Sequence, residues 1–288
     1  MLITRIITAL ILAPAAIAAI FYLPLIYFAV LLLAVIGIGA WEWGPLMGFD
    51  TKARRSGFVV TTLILIACIW GLVSPNELWV NTTVLNEYAL MLLWLAIAWW
   101  ILSAFLMFSY PSASAFWAKH RSIRGVFGWL TLVPTWLAFM VIRTHAYPED
   151  SYQGAQLLML LFLMVWSADI GAYFVGKAFG KHKLMPNVSP GKTFEGFLGG
   201  MAFACMLMSI VAYQLSWNSD QVTTVLLVTV LITTVSVLGD LNESMFKRQA
   251  GVKDSGTILP GHGGVLDRID SLTATAPVFA LCYVMFGW

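Results

Sequence analysis

VTTVLLVTVLITTVSVLGDLNESMFKRQAGVKDSGTILPGHGGVLDRIDS, residues 222–271, passes from an apolar run into the most charged stretch of the chain. The first part, 222–239, is long enough for one membrane-spanning helix, since a span needs about 20 largely apolar residues. Thr229, Thr233, Ser236, Asp240 and Glu243 recur there at spacings of four, three, four and three, which places them on one helix face. That face is expected to look into protein or water, with the threonines and the serine hydrogen-bonding neighbouring helices. The second part gathers Asp240, Glu243, Asp254, Asp267 and Asp270 with Lys247, Arg248, Lys253 and Arg268, although only 10% of the chain is charged.

Outward from this stretch the chain is overwhelmingly apolar. Of its 288 residues 60% are hydrophobic, and the mean hydropathy is +0.85. A water-exposed surface would need far more charge, so the expected class is an all-α, polytopic membrane protein. Nine spans are predicted, at 5–21, 23–41, 58–73, 88–108, 124–142, 155–175, 196–215, 222–239 and 271–287. Residues 1–165 then form a transmembrane scaffold. Residues 166–288 form a catalytic region with cytoplasmic loops at 176–195 and 240–270. Arg5 and the Ala-rich run after it are read as a retained first helix, because apolar sequence resumes at once through Pro24.

Basic residues test this topology, since loops left in the cytoplasm collect Lys and Arg. With a cytoplasmic N-terminus, every one of the 16 basic residues except Arg143 falls inside. Arg143 is placed at an outer span end beside Glu149 and Asp150. A net charge of +2 gives no reason to invoke nucleic acid. Cys68, Cys205 and Cys282 fall in separate spans and are read as small packing residues. Trp41, Trp43, Trp79, Trp117 and Trp217 lie near span ends, where the headgroup region suits an amphipathic ring; Trp94, Trp99 and Trp100 are expected to pack within a span.

Polar chemistry begins after residue 165. Asp169 lies inside a span, where a charge costs about 2.5–3.5 kcal/mol or more unless it faces the bundle interior. Gly176 and Gly180, and Gly196 and Gly200, are spaced for close helix approach. The segment SPGKTFEG, 189–196, ends like a phosphate-binding P-loop, but Pro186 stands where that motif needs glycine and no strand is expected before it. What remains is Ser189, Lys192, Thr193 and Glu195 at a helix start, where backbone N–H groups and a cation can hold phosphate oxygens. In 239–271, carboxylates supply hard oxygen ligands and the interleaved cations suit phosphates, which together suit a metal-bound polyphosphate. Asp267 and Asp270 share one side of a helix start, while Gly261, Gly263 and Gly264 around His262 permit close approach to a ligand.

Ser244-Met-Phe-Lys247-Arg248, then Lys253-Asp254, Gly256, Leu259-Pro260, His262-Gly263-Gly264-Val265 and Asp267-Arg268-Ile269-Asp270 resemble the full signature of the phosphatidate cytidylyltransferase (CDP-diacylglycerol synthase) family. The resemblance covers about 165–271 and includes Asp169, SPGKTFEG and Gly239-Asp240-Leu241. It implies the reaction of phosphatidic acid with CTP to give CDP-diacylglycerol and pyrophosphate; the Lys and Arg topology puts the site at the cytoplasmic face, and a bacterial inner membrane is expected from a compact chain with no evident targeting extension. The resemblance implies Mg²⁺ held by Asp240 and Asp267, with Asp254 and Asp270 completing or orienting that site, and Lys192, Lys247, Arg248, Lys253 and Arg268 clamping phosphates. A second cation such as K⁺ and a homodimer are implied in the same way. His262 is expected either to donate to a substrate phosphate or to fix its loop by hydrogen bonding, the second being preferred. The competing readings are a CTP-dependent lipid kinase, which would transfer the γ-phosphoryl group, and an ion-coupled transporter, for which no internal repeat is found.

Overall fold

The computed structural model describes residues 2–112 and 114–287, except for the side chains of residues 2–7, 9 and 76, so the expected inward placement of Arg5 falls outside the described residues. Helices α1 (Leu2–Tyr22), α2 (Leu25–Leu46), α3 (Lys52–Leu72), α4 (Glu87–Phe108) and the short α5 (Ser114–Ala118) lead into α6 (Arg121–Arg143). They are followed by α7 (Gln153–Phe179), α8 (Phe194–Gln214), α9 (Ser219–Ala250) and α10 (Leu266–Phe286). Eight of these helices are long and apolar enough to cross a bilayer, and α1 adds the apolar stretch Leu10–Tyr22, which bears out a polytopic bundle of about nine spans.

One element departs from an all-helical chain. Strands β1 (Lys183–Met185) and β2 (Ser189–Thr193) form an antiparallel hairpin between α7 and α8, where a loop without strands was expected. Several spans also outrun their expected ends, because a helix stops where its backbone is broken and not where the hydrocarbon ends. Nothing between Asp240 and Ala250 breaks α9, which ends at Gly251 in the left-handed conformation, φ +72°. Asp240, Glu243, Lys247 and Arg248 therefore ride on a helix, and the connecting loop shrinks to 251–265.

Helix α6 is the central post, buried from Thr131 through Arg143. The close approach of α7 and α8 depends on missing side chains: a methyl at Gly200 would stand 2.5 Å from the Ala168 carbonyl oxygen, and one at Gly176 would stand 3.4 Å from the Gly196 Cα. The polar face of α9 meets α10, with Thr229, Thr233 and Ser236 all buried and the Ser271 hydroxyl donating to the Ser236 carbonyl at 3.2 Å.

Two sets of tryptophans differ from expectation. Trp43 and Trp117 are fully buried, each with its ring centroid 5.1 Å from that of Phe246, and so form an aromatic floor instead of a headgroup anchor. Trp94 is exposed on the outside of the bundle, whereas Trp99 and Trp100 pack inside. Arg143 ends α6, at a span end as expected, but its side chain turns inward. It is 3% exposed and donates to the carbonyls of Ile20 at 3.1 Å, Ser151 at 3.0 Å and Leu23 at 3.4 Å. A fixed cation at the C-terminal end of α1 complements that helix dipole.

Candidate active site

Four helix ends and the hairpin converge at one end of the bundle: the last turns of α7 and α9 and the first turns of α8 and α10. Thr193 starts α8 as its cap, its hydroxyl oxygen accepting from the Gly196 N–H at 3.2 Å. Strand β2 just before it delivers the Lys192 ammonium to Asp240 on α9, 2.6 Å from Oδ2. The hairpin is held by Val188, fully buried in the core, whose carbonyl accepts from Arg248 Nε at 3.1 Å. Glu195 closes its base, accepting the N–H groups of Lys181 at 3.0 Å and His182 at 3.1 Å and pairing with the His182 ring.

A second set of ion pairs is more fully buried. Lys247 sits between Glu243 Oε2 at 3.2 Å and Asp267 Oδ1 at 2.7 Å, with its side chain 10% exposed. Asp267 also accepts the N–H groups of Ser255 at 3.0 Å and Gly264 at 2.8 Å, so it ties the loop 251–265 to the start of α10. Gly263 has φ +81°, and a Cβ there would stand 2.6 Å from Asp267 Oδ2, which excludes larger residues on both counts. Asp270 lies within electrostatic range of Asp240, Lys192 and Lys247, and Asp169 within range of Lys192, Asp240 and Arg268.

The predicted site residues thus divide. Lys192, Asp240, Glu243, Lys247, Asp267, Asp270, Asp169 and Arg268 gather in one cluster, with the Arg268 side chain exposed. Lys253 and Asp254 are exposed on the loop above it. Ser189 and Glu195 belong to the hairpin and its clamp. The His262 N–H donates to the Leu259 carbonyl at 2.9 Å, forming the tight turn, while its ring Nδ1 is buried with no partner among the described residues.

Sequence reasoning missed Glu42. It lies on α2 in the region read as scaffold, is 2% exposed, and accepts the N–H groups of Val265 at 3.1 Å and Leu266 at 2.7 Å at the start of α10. The one available signal was an acid inside an apolar run.

The cluster suits a hard cation. Glu243 Oε1 is a buried carboxylate oxygen with no partner among the described residues, and the charges of Asp267 and Asp270 bear on the same group. No group of three His, Cys, Asp or Glu closes around one metal position among the described residues. Mg²⁺ is commonly held by one or two carboxylates plus substrate phosphates, so the donor chemistry present fits it.

Helix ends that bring carboxylates and cations together at the edge of a membrane bundle form a site for a charged substrate group. Residues 3–286 match the Cytidylyltransferase family, and the chain belongs to it. Phosphatidate cytidylyltransferase of Haemophilus influenzae is 41% identical over 287 residues, 98% of this chain and 99% of that protein. The protein of the same name from Pseudomonas aeruginosa is 41% identical over 288 residues, covering 100% of this chain and 99% of its own. That of Staphylococcus aureus strain COL is 43% identical over 148 residues, 51% of this chain and 56% of its own.

Proposed function

We propose that the chain is an integral membrane cytidylyltransferase that converts phosphatidic acid and CTP to CDP-diacylglycerol and pyrophosphate in phospholipid synthesis, at the cytoplasmic face of a bacterial inner membrane. The observation that carries this reading is the convergence of Lys192 on Asp240, and of Lys247 on Glu243 and Asp267, at the ends of separate helices.

The chemistry asks little covalent work of the protein. A phosphate oxygen of the lipid attacks the α-phosphorus of CTP, the bond to the bridging β-phosphate oxygen breaks, and pyrophosphate leaves with that electron pair. The substrate is its own nucleophile, so the residues have to position two anions and stabilise charge. Lys192, at the mouth of the cluster, and exposed Arg248, Lys253 and Arg268 supply the cations that draw the two anions together. Lys247 donates to Asp267 and holds that carboxylate in place. Asp240 and Asp267 would hold Mg²⁺, with Asp254 and Asp270 orienting that site; the ion would supply Lewis acidity at the transferring phosphate. A second cation such as K⁺ and a homodimer complete the reading on family resemblance alone. Acyl chains remain in the bilayer throughout, which avoids their transfer to water.

The test is product analysis. Purified protein given CTP and phosphatidic acid should release pyrophosphate and form a nucleotide lipid. Release of CDP with a phosphorylated alcohol would overturn the reading in favour of a lipid kinase.

A further inference from the structure

The signature residues after Gly251 stand on a loop that has little packing of its own, yet their register is fixed. The loop carries glycines at 251, 256, 261, 263 and 264, and its 255–258 segment is separated from Trp41, Pro45 and Arg55 by a cavity of about 130 Å³. Apolar packing therefore does not hold this segment against α2. Polar contacts with Glu42 do. One carboxylate accepts from Val265 N at 3.1 Å, Leu266 N at 2.7 Å and the Ser255 hydroxyl at 3.5 Å, joining both ends of the loop across more than 200 residues of sequence.

The surroundings are shaped to this carboxylate. A Cβ at Gly264 would stand 2.5 Å from Glu42 Oε2, and one at Gly256 would collide with Oε1. Two of the signature glycines thus make room for a side chain from the opposite half of the chain. The carboxylate also accepts the first free N–H groups of α10, where a negative charge is favoured by the helix dipole. Ser255 is shared: its N–H goes to Asp267 and its hydroxyl to Glu42. The direction in which Asp267, Arg268 and Asp270 leave the start of α10 is therefore set from α2.

From this geometry we infer that Glu42 is a positioning residue for the catalytic centre, fixing the loop 251–265 and the first turn of α10 without touching substrate. The inference rests on the proposed activity, but its local part can be tested apart from it. Full-length protein in nanodiscs, as wild type, Glu42→Gln and Glu42→Asp, is compared by amide hydrogen exchange and by CTP turnover. In Glu42→Gln, exchange should accelerate within 254–266 while α6 stays as protected as in wild type. Turnover should fall about 10–100-fold, as for outer partners of metal ligands, with a matching rise in the Mg²⁺ concentration for half-activation and an unchanged KM for phosphatidic acid. Glu42→Asp, which keeps the charge on a shorter stem, should lie between the two.

Unchanged exchange in 254–266 would overturn the inference. Equal acceleration throughout α6 would too, as would failure of both variants to fold, since each would make Glu42 a general structural residue. Should wild-type protein not turn over CTP with phosphatidic acid, the functional reading falls, while the exchange pattern still decides whether Glu42 governs the loop.

Discussion

At one end of the bundle Arg143 gives its buried guanidinium to three backbone carbonyls; at the other, Lys247 gives its buried ammonium to two carboxylates. Both cations are almost fully enclosed, but the first is bonded only to backbone carbonyls, at a helix end. The second belongs to a cluster of charges that also holds Asp270, Asp240 and Lys192, with Asp169 and Arg268 beside them. Burial of charge alone does not mark a reactive site. What marks it here is the kind of partner: carboxylates of α9 and α10 that the ammonium groups of Lys192 and Lys247 reach directly.

The largest expected effect lies at the carboxylate end. Asp240→Asn or Asp267→Asn should lower CTP turnover by about 10³-fold or more, which corresponds to about 4 kcal/mol of transition-state stabilisation, with membrane insertion intact. Normal turnover in either variant would remove that residue from the metal site. Next in size is a stability contrast. Lys247→Met leaves two buried carboxylates uncompensated and should cost about 3–5 kcal/mol. Arg143→Met leaves carbonyls unpaired and should cost about 1–3 kcal/mol, without changing turnover per folded molecule. Denaturant unfolding in detergent micelles measures both, and the reverse order would break the comparison.

A smaller effect tests the frame that joins the two ends. Gly171 on α7 has the Gly199 carbonyl oxygen 2.9 Å and the Phe203 Cβ 2.6 Å from where a methyl would sit, so Gly171→Val should cost about 1–3 kcal/mol by overpacking. An unfolding curve identical to wild type would show that α7 and α8 can part without cost. The smallest effect belongs to His145, at the Arg143 end. Its Nε2 lies 2.9 Å from the Tyr283 hydroxyl, and burial pushes its pKa below the ordinary 6.5. The unfolded chain then binds the extra proton more readily, so this contribution is full above about 6.5 and is lost as pH falls through the lower folded value. Melting temperatures should decline below that pH in wild type and decline less in His145→Phe. Parallel pH profiles would remove His145 from the account.

The parts of the fold legible from sequence were those governed by local pattern. Apolar runs marked the spans, the Thr229-to-Glu243 spacing marked the face of α9 that meets α10, and paired glycines marked the α7 and α8 contact. The misread parts depended on partners remote in sequence. Glu42 is one acid in an apolar run, and the N–H groups that explain it lie at Val265 and Leu266. Trp43 and Trp117 sit where interfacial rings belong, but Phe246 draws them inward. The span was ended at 239 and 240–270 read as a loop because charge was taken to end a span, although the helix-face spacing already reached Asp240 and Glu243; the helix in fact runs on to Ala250. The hairpin is too short to show alternation, and its anchor is the single inserted Val188.

Helix α9 has 32 residues and, at 1.5 Å per residue, measures about 48 Å against a hydrocarbon thickness of about 30 Å. It is a mast taller than the slab it pierces. Its apolar shaft, 222–239, matches the slab, so Asp240 stands at deck level and Glu243 and Lys247 above it. A nucleotide can therefore dock without descending into oil, and the incoming lipid has only to lift its head to that height. Bilayers built from shorter or longer acyl chains would shift the deck against the mast, making membrane thickness a setting on the reaction.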